Sequence, residues 1–258
     1  MSKYLIAFGL FCGINNSNLF GQKLPSIQLD RPDQTECPFI TPTNYIQLES
    51  GFNYEEIDAS QSSWSFPSIL WKYGLNDKVE FRLITELISS QKNQQTISGI
   101  SPLTVGFKTA LWEERGWLPK TSFIGHITTS DIGSKEFHTK YIAPSFRFTM
   151  QHLLSEKLSI GYNLGAEWNG ENAEQTYIYT LTAGMSITDK IGCYAELYGY
   201  FPKVESNDHR IDGGFTYLLN NDFIIDISGG LGLTKNAPKG YISFGISYRF
   251  KAHSNKSR

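Results

Sequence analysis

The chain has 258 residues, with 23 Lys plus Arg against 25 Asp plus Glu and a net charge of -2, so it presents no basic balance for nucleic acid. Its three cysteines imply no disulfide framework, and past the first residues no apolar run is long enough to cross a bilayer as a helix. What stands out is a 14% share of aromatic residues in a chain that alternates apolar and polar positions.

Met1-Ser2-Lys3 is a short basic start, and Tyr4 to Ile14 is an apolar run. A polar stretch follows, and the pattern predicts a secretory signal peptide over residues 1–21. Cys12 follows Phe11, too bulky for a lipoprotein cleavage site. Residues 22–43 form a Pro-rich polar lead. Twelve alternating segments come next, at 45–55, 64–73, 79–87, 103–112, 121–130, 141–152, 158–168, 177–187, 191–201, 209–218, 223–233 and 241–250. In the third, Val79, Phe81, Leu83 and Leu87 alternate with Glu80, Arg82 and Glu86. Each is about the length a tilted strand needs to span a bilayer. A short tail, 251–258, closes the chain.

The connections alternate in character. Gly74-Leu75-Asn76-Asp77-Lys78, Leu154-Ser155-Glu156-Lys157, Ser186-Ile187-Thr188-Asp189-Lys190 and Leu219-Asn220-Asn221-Asp222 are variants of one tight-turn phrase, rich in residues that bond their own backbone. The other connections are longer and more polar, except that 113–120 is a long turn. An even strand count puts both termini on the periplasmic side, with the long loops outside. The predicted fold is an all-β, transmembrane, antiparallel up-and-down barrel of about 12 strands over 44–250, in the outer membrane. A secreted β-sandwich is the alternative. Uniform strand length, alternating loops and aromatics near both strand ends favour the barrel.

Read in phase, one face collects Glu49, Lys72, Glu80, Arg82, Glu86, Lys108, Arg147, Glu167, Tyr194, Glu196, Tyr198, Arg210, Asp212, Asp226 and Arg249. In a barrel these line the lumen. Acids and bases nearly balance there, which speaks against strong ion selectivity. Asp30, Arg31, Asp33 and Glu36 in the lead can reach Lys72, Arg82, Lys108 or Arg249, and are expected to fold into the periplasmic mouth as a partial plug. The alternative is a loose leader.

The phrase Asp30-Arg31-Pro32-Asp33-Gln34-Thr35-Glu36-Cys37-Pro38-Phe39, then Gln47-Leu48-Glu49-Ser50-Gly51-Phe52, resembles the start of bacterial outer-membrane proteins of the MetA-pathway of phenol degradation family. The stretch Tyr73-Gly74-Leu75-Asn76-Asp77-Lys78-Val79-Glu80-Phe81-Arg82 is similar to their strand-turn-strand phrase. Cys37 stands where those proteins have Ser. The resemblance implies a barrel that passes small organic molecules. It identifies no substrate and brings no catalytic set.

The histidines offer little chemistry. Asp208-His209, and His126 with Ser122 or Ser130, could imitate parts of a hydrolase site. A solvated loop pair and a lumen-facing His are the better readings. No spacing suits a metal, and no cofactor site is expected. The reading is therefore a non-enzymatic outer-membrane channel for passive passage of small organic solutes, aromatic or hydrophobic ones among them. The alternatives are a structural barrel with a closed lumen and a barrel hydrolase. Its partners would be outer-membrane lipid, the solute, and the barrel-assembly machinery during insertion.

Overall fold

The computed structural model describes residues 24–203 and 206–252; the expected signal peptide and most of the tail lie outside them. The strands are β1 (Tyr45–Glu56), β2 (Gln61–Asn76), β3 (Val79–Lys92), β4 (Gln95–Ile100), β5 (Thr104–Trp112), β6 (Lys120–Thr128), β7 (Ala143–Leu153), β8 (Leu158–Trp168), β9 (Gln175–Ser186), β10 (Ile191–Pro202), β11 (Asp208–Asn220), β12 (Phe223–Gly232) and β13 (Gly240–Lys251). Twelve of them form a closed antiparallel barrel. Successive strands pair around the wall, and β1 closes it by pairing with β13 from Tyr45↔Lys251 to Glu56↔Gly240.

The thirteenth strand corrects the expected long polar loop between the segments at 79–87 and 103–112. β3 continues to Lys92, and β4 folds back on it from Lys92↔Gln95 to Leu87↔Ile100. Asn93 and Gln94 make the turn with φ of 48° and 67°, the left-handed pair that a two-residue hairpin requires. That turn contains no Gly, so its polar composition reads as loop. β5 pairs with β3 lower down, at Val79–Ile84, so β4 and β5 share one edge of β3 end to end.

The recurring turn phrase has a direct physical basis. In each turn one short polar side chain accepts the next free amides. Asn76 Oδ1 takes Lys78 N at 2.8 Å and Val79 N at 3.0 Å. Ser155 Oγ takes Leu158 N at 3.1 Å, Thr188 Oγ1 takes Ile191 N at 3.0 Å, and Asn220 Oδ1 takes Asp222 N at 2.9 Å. These turns all lie at one end of the barrel, here the turn end; the longer connections lie at the loop end.

Burial is inverted relative to a water-soluble sandwich. Leu164 is 55% exposed while its neighbour Asn163 is fully buried; Phe81 is 52% exposed between Glu80 and Arg82, both buried. Apolar side chains on the outside of a closed sheet, with charges within, suit a barrel whose outer surface meets lipid. Closure leaves no open edge on the wall, so every spanning strand has its backbone bonds made.

Candidate functional site

Strand register places the inner charges. Lys72 of β2 stands opposite Arg82 of β3, and Glu80 of β3 opposite Lys108 of β5. Like charges directly opposed across strands are unfavourable, so the Lys72–Arg82 pair needs an acid. Glu49 meets Lys72 at 2.5 Å, and Glu80 meets Arg82 at 3.2 Å. The remaining acid comes from the lead. Asp30 accepts from Lys72 at 3.0 Å, Arg82 at 3.0 Å and Lys108 at 2.8 Å, all buried. Burial alone would push the Asp30 carboxyl up, but Lys108, Lys72 and Arg82 together hold it well below the usual carboxylate range.

The rest of the lead runs round the inner wall. Pro25 O receives Arg249 at 2.8 Å, and Ile27 N bonds Asn221 O at 2.8 Å in the turn joining β11 and β12. Arg31 reaches Asp226 at 3.1 Å and Ser243 at 3.0 Å. Gln34 N donates to Glu196 at 2.7 Å, and Thr35 Oγ1 to Thr180 at 2.6 Å. Glu36 meets Arg82 at 2.6 Å while its backbone exchanges two bonds with the Asn163 amide. Pro38 O accepts from Ser122 at 2.6 Å, and Thr41 N donates to Glu80 at 2.7 Å. The segment returns to the turn end at Thr43, which bridges Gly74. Gly51 makes room for it, since a Cβ there would stand 2.1 Å from the Arg31 guanidinium, and Gly245 makes room for Arg31's wall partner, since a Cβ there would stand 2.2 Å from the Asp226 carboxylate.

The other inner residues fall into separate groups. Glu196 and Asp212 oppose each other across β10 and β11, with Tyr194 beside them and Tyr241 Oη donating to Asp212. Tyr198 and Tyr200 lie near the loop end under the Arg210 guanidinium, at 5.8 and 5.6 Å; Arg210 is itself held by Asp208 at 2.5 Å and Glu55 at 2.8 Å. Arg147 donates to Gln34 O at 3.1 Å, while the part-buried Glu167 of β8 stands directly opposite Ser145 of β7. Glu86 accepts from Ser65. Arg249 sits at the turn end with Asp222 at 2.7 Å and meets none of the lead's acids. Asn163, Thr180, Ser122 and Tyr241, which bind the lead or Asp212, share the inner phase; a search for charges passes over them because they are neutral.

Hollows lie in the lumen on either side of the lead. One, about 440 Å³, opens at the turn end among Asp33, Thr35, Cys37, Gly161, Gly184 and Tyr194. The other, about 370 Å³, lies toward the loop end among Arg31, Gln34, Glu86, Tyr198, Arg210 and Tyr241. Residues 31–35 of the lead stand between them. Among the described residues no histidine lines either: His126 accepts from Arg82 Nε at 3.1 Å, and His209 bonds the Tyr179 hydroxyl at 2.9 Å.

The fold recurs among solved outer-membrane barrels. The crystal structure of an outer membrane channel from Pseudomonas putida F1 aligns with a TM-score of 0.65 at 13% identity, over 86% of this chain and all of that one. The NanC porin aligns with a TM-score of 0.52 at 9% identity, over 79% of this chain and 98% of that one. The KdgM porin aligns with a TM-score of 0.51 at 12% identity, over 78% and 99%. No curated protein matches the sequence. A closed barrel with its apolar face outward is thus an outer-membrane protein, and over residues 29–250 the chain belongs to the family described as "Putative MetA-pathway of phenol degradation".

Proposed function

We propose that the protein is a passive channel for small organic solutes, aromatic or hydrophobic ones among them, and that its lead is the plug. The observation that carries this is the pair of hollows separated by residues 31–35. The lumen is interrupted by a segment that belongs to no strand, held by side-chain bonds that can be exchanged for water. The channel named in the Pseudomonas putida structure and the pathway named for the family support the same reading. The buried ion pairs of Asp30 favour a second one, a structural barrel whose lumen stays shut.

Removing residues 24–39 separates the two. The shortened chain is refolded, its closure checked by resistance to SDS without heating, and its conductance and liposome swelling measured with phenol-sized solutes. A channel shows higher conductance and swelling than the full chain. A folded barrel with no gain in either is the structural alternative.

A further inference from the structure

The loop-end hollow has an unusual lining. Its volume, about 370 Å³, is at the small end of the range for ligand pockets, about 300–1,000 Å³. Such pockets are ordinarily walled by apolar and aromatic side chains, with a few polar groups to orient the ligand. Here the proportion is reversed. Among the lining residues only Pro32 and Gly51 lack a side-chain donor or acceptor, and no Val, Leu, Ile or Met is present. The hollow is also open to water at its rim: Glu55 and Arg210, near the loop-end limits of β1 and β11, have side chains 24% and 18% exposed.

The charges of this lining are matched within the protein. Arg31 is paired with Asp226, and Arg210 with Asp208 and Glu55. Glu86, the lining acid outside these pairs, accepts from Ser65. An anionic solute finds no spare cation, and a cationic one meets two guanidiniums. What is left over is neutral hydrogen-bonding capacity. Among the described residues, no hydrogen bond uses the side chains of Gln34, Asn53 or Ser68; Gln34 is tied through its backbone alone, to Glu196 and Arg147. Each amide supplies both donors and an acceptor, and the hydroxyl supplies both roles in one atom. Beside them stand aromatic rings. Tyr198 and Tyr200 meet edge to face at 6.2 Å, and the Tyr241 ring is fixed by the bond from its hydroxyl to Asp212. An apolar solute in this space would strip water from polar groups without replacing its bonds, which is unfavourable.

We infer that the loop-end hollow is a binding site for an uncharged polyhydroxylated ring, a sugar of monosaccharide size. Gln34, Asn53 and Ser68 bond its hydroxyls, and the Tyr241 ring packs on its C–H face. A pyranose carries hydroxyls that each donate and accept, around ring carbons that present an apolar face. Amide and hydroxyl side chains next to an aromatic ring, itself apolar in body and polar at its tip, meet both requirements. This inference deepens the channel reading and rests on it: the hollow receives sugars at the loop-end mouth, before the crossing of residues 31–35, so the solutes of the channel include ones more polar than aromatics.

Saturation-transfer NMR on the refolded full chain in detergent reads weak binding without requiring flux. The probes are the methyl glycosides of glucose, galactose and mannose, each titrated, with empty micelles subtracted. At least one should give a saturable signal, strongest at the ring C–H protons. Its affinity should fall by about tenfold in N53A/S68A, which removes two sets of bonds, and by about threefold in Q34A, which removes one. Gln34→Ala keeps the backbone bonds of the lead, so it remains informative if the wall variant does not fold. E171Q, in an exposed loop, should bind as wild type. Absence of a saturable signal from all three glycosides, or equal affinity in Q34A and wild type, overturns the site. A saturable signal from cyclohexanol, a ring with a single hydroxyl, that the same variants abolish overturns the assignment to sugars. If the glycosides fail to bind while removal of residues 24–39 still raises conductance, the site falls and the channel stands; binding without that gain leaves the site in a closed barrel.

Discussion

Replacing Asp30 by Asn removes the charge on which Lys72, Arg82 and Lys108 converge at 3.0, 3.0 and 2.8 Å. Breaking a buried ion pair by deleting one partner costs about 3–5 kcal/mol, because the other charge is left uncompensated. Here Glu49, Glu80 and Glu36 still hold those cations, and Asn keeps the shape. The low end, about 3 kcal/mol, is therefore expected. All of it falls on the docked lead, since the wall strands pair through their backbones. At about 1.4 kcal/mol per factor of ten, the undocked fraction rises roughly a hundredfold. Hydrogen exchange reads this away from the mutated residue: the amides of Gln34, Glu36 and Thr41 are each held by a wall side chain, at 2.7, 2.8 and 2.7 Å. Their protection should fall together by about that factor, while amides of β8 and β9 keep theirs. Unchanged protection at Gln34 and Thr41 in a folded D30N barrel would refute the idea that Asp30 anchors the lead.

Leu164→Arg places a charge mid-strand on the apolar exterior and should cost about 2–4 kcal/mol in folding into lipid, whereas Thr216→Arg, facing the turn-end hollow, should be far milder; equal costs in urea titrations from lipid vesicles would reverse the inside-outside assignment. Lead docking should weaken in both directions of pH, read by the same exchange experiment. Asp30 has a lowered pKa, so its contribution is present above the ordinary value near 3.8 and is lost as pH falls through the shifted one. Asp33 has a raised pKa, so its contribution is present at low pH and is lost as pH rises through its shifted value. A docking equilibrium flat across this range would exclude both.

Much of the wall was legible because a strand has period two, and a one-residue error would have exchanged every inside residue for an outside one. Phe81 and Leu164 lie outside, and Glu80 and Arg82 inside, where the alternation puts them. The β3–β4 hairpin was not legible, since Asn93 and Gln94 adopt a turn that composition alone associates with Gly. Nor was the division of the inner charges. Counting signs gives near balance, but pairing depends on which strands neighbour one another and on where the lead crosses. Lys108 and Asp30 are 78 residues apart in sequence and 2.8 Å apart in space. Local pattern carries no information at that separation, so the bonds of Glu196 to the lead and of Asp212 to Tyr241 emerge only from the closed barrel.

The lead enters the lumen beside Gly74 and comes back to the same end at Pro25 and Ile27, against Arg249 and Asn221. It is a loop with both ends at one mouth, so it can leave the barrel without threading through it and without opening the β1–β13 seam. A pull on the chain ahead of Pro25 would load its contacts one after another, beginning with Arg249 and Asn221 and reaching Asp30 only after those have parted. The segment is therefore a tether that unzips under tension from the turn side, whereas a push from the loop side meets its crossing portion broadside and loads many contacts at once. The same bonds give way readily in one direction and resist in the other.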